Sequence, residues 1–154
     1  MITSFNHFSF TVADLDKSVE FYKDVFGLEF LSRGKREPWF SEAVTGVKGA
    51  ELDMAFFKVG NGGTAHGADN PDVILELIEY INPKGVKLDT TPCNIGSAHV
   101  CFNVEDFDSF VERLRANNVR FRGSIEKIPA GPNIGRKVAY IEDCDGNVIE
   151  LISV

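Results

Sequence analysis

Two stretches of this 154-residue chain, 92 positions apart, are copies of one another, and that repeat limits the architectures open to it. His7-Phe8-Ser9-Phe10-Thr11-Val12-Ala13-Asp14-Leu15-Asp16-Lys17-Ser18-Val19-Glu20 aligns without gaps on His99-Val100-Cys101-Phe102-Asn103-Val104-Glu105-Asp106-Phe107-Asp108-Ser109-Phe110-Val111-Glu112, with seven of fourteen positions identical. A second echo closes each copy: Ile74-Leu75-Glu76-Leu77-Ile78 against Val148-Ile149-Glu150-Leu151-Ile152. Each half opens on a histidine and ends on a glutamate. The chain is therefore expected to be one structural unit built twice.

The local pattern fills in that unit. Residues 5–12 alternate, with Phe8, Phe10 and Val12 on one face and His7, Ser9 and Thr11 on the other, which predicts a strand with an apolar back. Asp14 or Asp16 offers an N-cap. Leu15, Val19, Tyr22 and Phe26 make a helical stripe that Gly27 closes. Strands are expected at 28–32, 51–58 and 73–80, separated by a Trp39-containing segment (37–50) and a Gly-rich loop (60–70). The second half repeats the order: a strand at 98–104, a helix at 107–117, a strand starting at Val119–Arg122, and strands at 137–142 and 147–154. The last two are joined by Asp143-Cys144-Asp145-Gly146, where Gly146 supplies the positive φ of a tight turn. The fold class is thus α+β: two βαβββ modules, about 1–82 and 97–154 with a linker at about 83–96, forming an open, curved eight-stranded mixed sheet around a metal-binding cavity.

Direction along the strands gives the chemistry. Glu150 shares a face with Val148 and Ile152, while Ile149 and Leu151 turn the other way. Glu76 is flanked by Leu75 and Leu77. A carboxylate in so apolar a strand has to be paired, hydrogen-bonded or metal-bound, because burying it bare costs several kcal/mol. His7 and His99 lie away from the phenylalanines, on the same expected cavity side. Two imidazoles and two carboxylates suit one divalent ion, Zn, Ni, Co, Mn or Fe, and the donor set does not choose among them. His66, in the Gly-rich loop and without a counterpart in the repeat, reads as a surface residue.

Bulk properties narrow the rest. A net charge of −7 argues against nucleic acid, which attracts a basic face. No apolar run approaches the roughly 20 residues of a membrane helix, and no basic-then-apolar leader is visible, so the expected compartment is the cytoplasm. Cys93, Cys101 and Cys144 are odd in number and lack metal-finger spacing, which fits reduced thiols.

These residues also carry a family likeness. The chain resembles the vicinal oxygen chelate superfamily, which includes glyoxalases, bleomycin-resistance proteins and extradiol dioxygenases. The matching pieces are His-x-x-Phe-x-Val-x-Asp at both module starts, Phe21-Tyr22 followed by Phe26-Gly27-Leu28, and Asp143-Cys144-Asp145-Gly146-Asn147 leading into Ile149-Glu150-Leu151, with Cys144 where the family usually has proline. The resemblance implies a divalent metal held by His7, Glu76, His99 and Glu150, in the His, Glu, His, Glu order of glyoxalase I. It implies a lyase, isomerase or epimerase that abstracts a proton next to a carbonyl through Glu150 or Glu76, and stabilises an enediolate or enolate. Methylmalonyl-CoA epimerases typically carry Gln at the place of Glu76. Bacterial glyoxalase I has an arginine where this chain has Thr11, and the Trp39 segment is longer here, which points away from a glutathione conjugate. The partner is then a small carbonyl or vicinal-oxygen substrate, with Thr11, Asn103 and Arg136 as substrate contacts and a homodimer as the assembly. Two other readings belong to the same superfamily: an Fe(II) extradiol-type dioxygenase using His7, His99 and Glu150, and a non-enzymatic antibiotic-sequestering protein.

Overall fold

The computed structural model describes residues 1–2, 5–60 and 73–154; His66 and all of the Gly-rich loop beyond Gly60 lie outside the described residues. The chain divides into two compact units, Met1–Val86 and Lys87–Val154. Among the described residues, eight strands form two open four-stranded sheets, each with parallel and antiparallel neighbours.

In the first unit the strands are β1 (His7–Val12), β2 (Glu29–Lys35), β3 (Glu51–Val59) and β4 (Val73–Asn82), ordered β1-β4-β3-β2. β1 runs parallel to β4, and β4 antiparallel to β3. Between β1 and β2 the helix α1 (Leu15–Glu20) starts at Asp14, whose carboxylate accepts from the Lys17 amide at 3.1 Å. It runs on into a π-helical turn over Phe21–Val25. Ser18, not Val19, is buried with Leu15, Tyr22 and Phe26; positions 15, 18 and 22 are one face of a 3.6-residue helix. Gly27 then ends the segment at φ 77°. The helix is tied to its sheet by polar contacts as well, since Glu79 on β4 accepts from the Leu15 amide at 2.9 Å. Arg33 on β2 bridges Asp16 on α1 and the buried Asp53 on β3, and these two carboxylates hold its guanidinium above its ordinary pKa.

The Trp39 segment contains a helix, α2 (Pro38–Thr45), with Pro38 in its first turn and Gly46 at φ 71° as its C-cap. Those two residues, proline just inside the start and glycine just past the end, are the signal for it in the sequence.

The second unit has β5 (His99–Val104), α3 (Phe107–Ala116), β6 (Glu126–Lys127), β7 (Lys137–Glu142) and β8 (Val148–Ser153), in the order β5-β8-β7-β6. The strand expected from Val119 is corrected here. Of that segment only Phe121 bridges the sheet, opposite Ile141, and the regular edge strand is the short β6. Arg120 and Arg122 still bond through their backbones to Glu142 and Tyr140, at 2.9 Å each, so the segment follows the sheet without becoming a strand.

In both units the helix covers one sheet face. Leu15, Tyr22 and Phe26 pack with Ala55, Phe57, Leu75 and Leu77; Phe107, Val111 and Leu114 sit with Phe102, Ile141, Ile149 and Leu151, and all are buried. A fully buried Leu, Ile or Phe contributes roughly 1.5–3 kcal/mol, so these helix-side layers hold the units together. The opposite face carries the polar groups of the site together with further buried apolar residues, Leu52, Met54, Phe56 and Ile74 in the first unit and Val148 and Ile152 in the second. Among the described residues no helix is long and apolar enough to cross a membrane.

Candidate metal and catalytic site

The strand registers fix which side chains share the polar faces. In the first unit Ser9 stands opposite Glu76 and His7 opposite Ile74, so His7, Ser9, Thr11 and Glu76 lie on one face. Across β3 that face continues as Phe56, Met54 and Leu52, which cluster with Ile74, Ile78 and Tyr80. Glu76 therefore stands in an apolar wall, only 7% exposed. Its Oε2 is 3.5 Å from Nε2 of His7. Nδ1 of His7 is 2.7 Å from Oδ1 of Asn6. An Nδ1–H donating to that amide oxygen leaves the Nε2 lone pair directed at the carboxylate side.

The second unit repeats the arrangement in more polar surroundings. Glu150 stands between Cys101 on β5 and Tyr140 on β7, so His99, Cys101, Asn103, Tyr140 and Glu150 share a face. Nε2 of His99 is 3.2 Å from Oε2 of Glu150. The Tyr140 hydroxyl lies 3.4 Å from the same nitrogen. The Cys101 thiol and the Tyr140 hydroxyl both hydrogen-bond to the Glu150 carboxylate. Desolvation first, then the negative charge of Glu150, pushes the Cys101 thiol up to about 11. The same two causes raise the Tyr140 hydroxyl. At neutral pH both are proton donors, which makes Cys101 a poor nucleophile.

The β7–β8 turn fixes this register. The Asp143 carboxylate accepts from the amides of Asp145 and Asn147 at 2.9 and 2.8 Å and from the Asn147 side chain at 2.8 Å, while Gly146 takes φ 84°. Cys144 is exposed beside it.

The two His–Glu spacings can be tested against metal coordination. Two donors bonded to one ion at about 2.1 Å stand about 3.0 Å apart at a right angle and about 3.4 Å apart at the tetrahedral angle. A charge-assisted N–H···O bond would bring them to about 2.7–2.9 Å. The separations of 3.5 and 3.2 Å match adjacent ligands of one ion better than a bare hydrogen bond. Among the described residues no group of three or more His, Cys, Asp or Glu side chains is placed to hold a metal ion.

Of the other expected contacts, Thr11 and Asn103 are exposed on the same faces as Glu76 and Glu150, and Arg136 is exposed in the loop before β7. Tyr140 was not anticipated. Its signal was the hairpin itself: a tight turn centred on Asp145 pairs residue 140 with residue 150.

A profile of the Glyoxalase/Bleomycin resistance protein/Dioxygenase superfamily matches residues 4–151, and the chain belongs to that family. Among its relatives is a 2-epi-5-epi-valiolone epimerase from an Actinomyces species, 30% identical over 97% of this chain and 78% of the relative. A lactoylglutathione lyase from Schizosaccharomyces pombe is 29% identical over 96% of this chain, which spans 46% of that longer protein. In three dimensions the chain is similar to a glyoxalase family protein from Bacillus cereus, with a TM-score of 0.79 at 23% identity, covering 99% of this chain and 95% of the other.

Proposed function

We propose that this protein is a metal-dependent isomerase, lyase or epimerase of glyoxalase type that removes a proton from a carbon next to a carbonyl. The observation that carries the reading is the recurrence, in both units, of an imidazole Nε2 facing a strand glutamate at the spacing of adjacent metal ligands. His7, Glu76, His99 and Glu150 would together hold one divalent ion. Once bound, that ion supplies positive charge against which negative charge developing on the carbonyl oxygen is stabilised.

The chain's own residues then divide the work. Glu76 and Glu150 share the ligand and proton-acceptor roles. Glu76, enclosed by Phe56, Met54 and Ile74, takes and returns a proton with little competition from bulk water. Glu150 is oriented by the Tyr140 and Cys101 donors. Thr11 and Asn103, exposed on the two faces, are placed for contacts with substrate oxygens. The kinship with an epimerase and a lactoylglutathione lyase supports proton transfer at a carbon acid as the shared chemistry.

The test is metal analysis of protein purified without added metal, followed by a panel of methylglyoxal hemithioacetal, methylmalonyl-CoA and catechols in deuterated water. Deuterium incorporation beside a carbonyl without oxygen uptake is expected, and Glu150→Gln should abolish it and weaken metal retention. Oxygen consumption with a catechol, or metal retention and turnover unchanged in Glu150→Gln, would remove the reading.

A further inference from the structure

In the second unit, at the end of the β7–β8 ladder, is a cavity of about 450 Å³ that the chemistry above leaves unused. Lys87, Arg120 and Arg122 line it, together with Thr90, Glu142 and Gly146. Three cations around one void are notable in a chain of net charge −7.

The backbone builds this cluster. Phe121 pairs with Ile141 on the helix side, where the Arg115 guanidinium lies 5.6 Å over its ring. Arg120 and Arg122, one residue to either side, therefore turn to the opposite face, the one that carries Glu142, Tyr140 and Glu150. Glu142 takes both guanidiniums: Arg120 Nη1 at 3.3 Å and Arg122 Nε at 3.0 Å. Glu142 clamps both guanidiniums, and with Asp89, which also interacts with Arg122, it leaves one of the three cations of the lining unbalanced. Arg122 Nη2 donates to Thr90 Oγ1 at 2.9 Å, and that hydroxyl donates to the Gly146 carbonyl at 2.6 Å. The Arg122 Nε is buried against Glu142, which leaves the outer guanidinium nitrogens to face the cavity. The Lys87 ammonium overhangs the turn, 3.5 Å from where a Cβ on Gly146 would sit. The second acid of the lining, Asp89, accepts from the Thr91 amide and hydroxyl at 2.9 and 2.6 Å, which with the charge of Arg122 keep it ionised, so the lining holds three cations against two carboxylates.

We propose that this cavity is a binding site for a small oxyanion, a carboxylate or a phosphate, and that it receives the anionic end of the substrate whose carbonyl end reaches Glu150. The second half of the proposal rests on the function proposed above; the first does not. Glu142 pairs with Val148 and Tyr140 with Glu150, so Glu142, one wall of the cavity, stands two residues along the ladder, about 7 Å, from the Glu150 position. That is the span of a small carbonyl acid or a phosphorylated carbonyl compound. Guanidinium N–H groups and an ammonium at the end of a face of this kind match such an anion in charge and in hydrogen-bond donors.

The experiment is an amide NMR titration of the metal-free full chain with inorganic phosphate, malonate and 2-oxoglutarate, the last carrying a carbonyl and a distal carboxylate. Phosphate or malonate should give saturable shifts confined to the Lys87–Thr91 amides and Gly146. Affinity should fall about tenfold or more in Lys87→Gln/Arg120→Gln, two exposed positions whose replacement spares the Arg122–Glu142 pair. 2-Oxoglutarate should extend the shifts to the amides of Tyr140 and Glu150. No saturable shift at the cavity, or equal affinity in the double variant, overturns the oxyanion site. 2-Oxoglutarate shifts that stop at the cavity overturn its link to Glu150. Loss of the metal reading would appear separately, as wild-type protein that retains no metal while the phosphate titration is unchanged.

Discussion

Tyr140 stands directly across the β7–β8 ladder from Glu150, and its hydroxyl donates to that carboxylate while lying 3.4 Å from Nε2 of His99. A single phenol thus touches both members of the second unit's His–Glu pair. Groups that hydrogen-bond to metal ligands fix their orientation, and losing one typically costs about 10–100-fold in metal affinity. Tyr140→Phe keeps the ring packed on His99, at 5.2 Å between centroids, and removes only the oxygen. Metal retention should fall about tenfold while the far-ultraviolet circular dichroism and the unfolding midpoint stay near wild type. Unchanged affinity in a competitive chelator titration would show that the hydroxyl does not orient the pair.

On the other unit the same service is performed by a neighbour in sequence. Asn6 Oδ1 is 2.7 Å from His7 Nδ1, which sets the tautomer that leaves Nε2 free toward Glu76. Asn6→Ala should weaken metal binding by about tenfold, and Asn6→Asp, which keeps the acceptor, should restore most of it. Equal affinities for wild type and Asn6→Ala in the same titration would remove this role.

The repeat made much of this legible before any coordinates. Alternation at residues 7–12 and 99–104 assigns His7 and His99 to the polar faces, and the apolar neighbours of Glu76 and Glu150 mark those carboxylates as exceptional. What the repeat could not supply lies where the two copies differ. α2 has no counterpart in the second unit, and only its Pro38 and Gly46 punctuation announces it. In α1 the buried position three residues after Leu15 is Ser18, and a stripe read from apolar residues alone passes over a serine in favour of Val19. At 119–122 the alternation reads as a strand, yet Phe121 alone bridges the sheet. The Tyr140 and Cys101 contacts to Glu150 are cross-strand relations, visible only once the hairpin register and the parallel β5–β8 register are both known.

The Cys101 thiol offers a direct reading of the electrostatics around Glu150. It is exposed, yet it is pushed up to about 11 by desolvation and by the neighbouring carboxylate. The folded state therefore holds a proton that the unfolded chain releases near its ordinary value of 9.0. This contribution to stability is present in full below pH 9 and is lost as pH rises from there through about 11. In metal-free protein at about pH 9.5, alkylation of Cys101 by iodoacetamide should run more than about tenfold slower than in the denatured chain, since only the thiolate reacts. Glu150→Gln removes the charge and should shift the rate profile of Cys101 to lower pH. A profile that does not move would mean that desolvation alone sets the thiol.

The β7–β8 turn is the last element on which the site depends, and Asp143 is its fastening. Its buried carboxylate accepts from two turn amides and the Asn147 side chain, and the Asp143 amide donates to the Asn147 carbonyl at 3.1 Å. Asp143→Ala keeps that last bond but strands both turn amides, at a cost of about 2–4 kcal/mol in urea unfolding. Asp143→Asn keeps an oxygen acceptor for the amides while losing the charge, and should cost about half as much. Because the turn sets which residues face each other, the effect reaches beyond stability. With the turn loosened, Tyr140 is no longer held opposite Glu150, and metal affinity should fall in Asp143→Ala although Asp143 is not among the proposed ligands. Wild-type metal affinity in a folded Asp143→Ala protein would show that the ladder keeps its register without the turn.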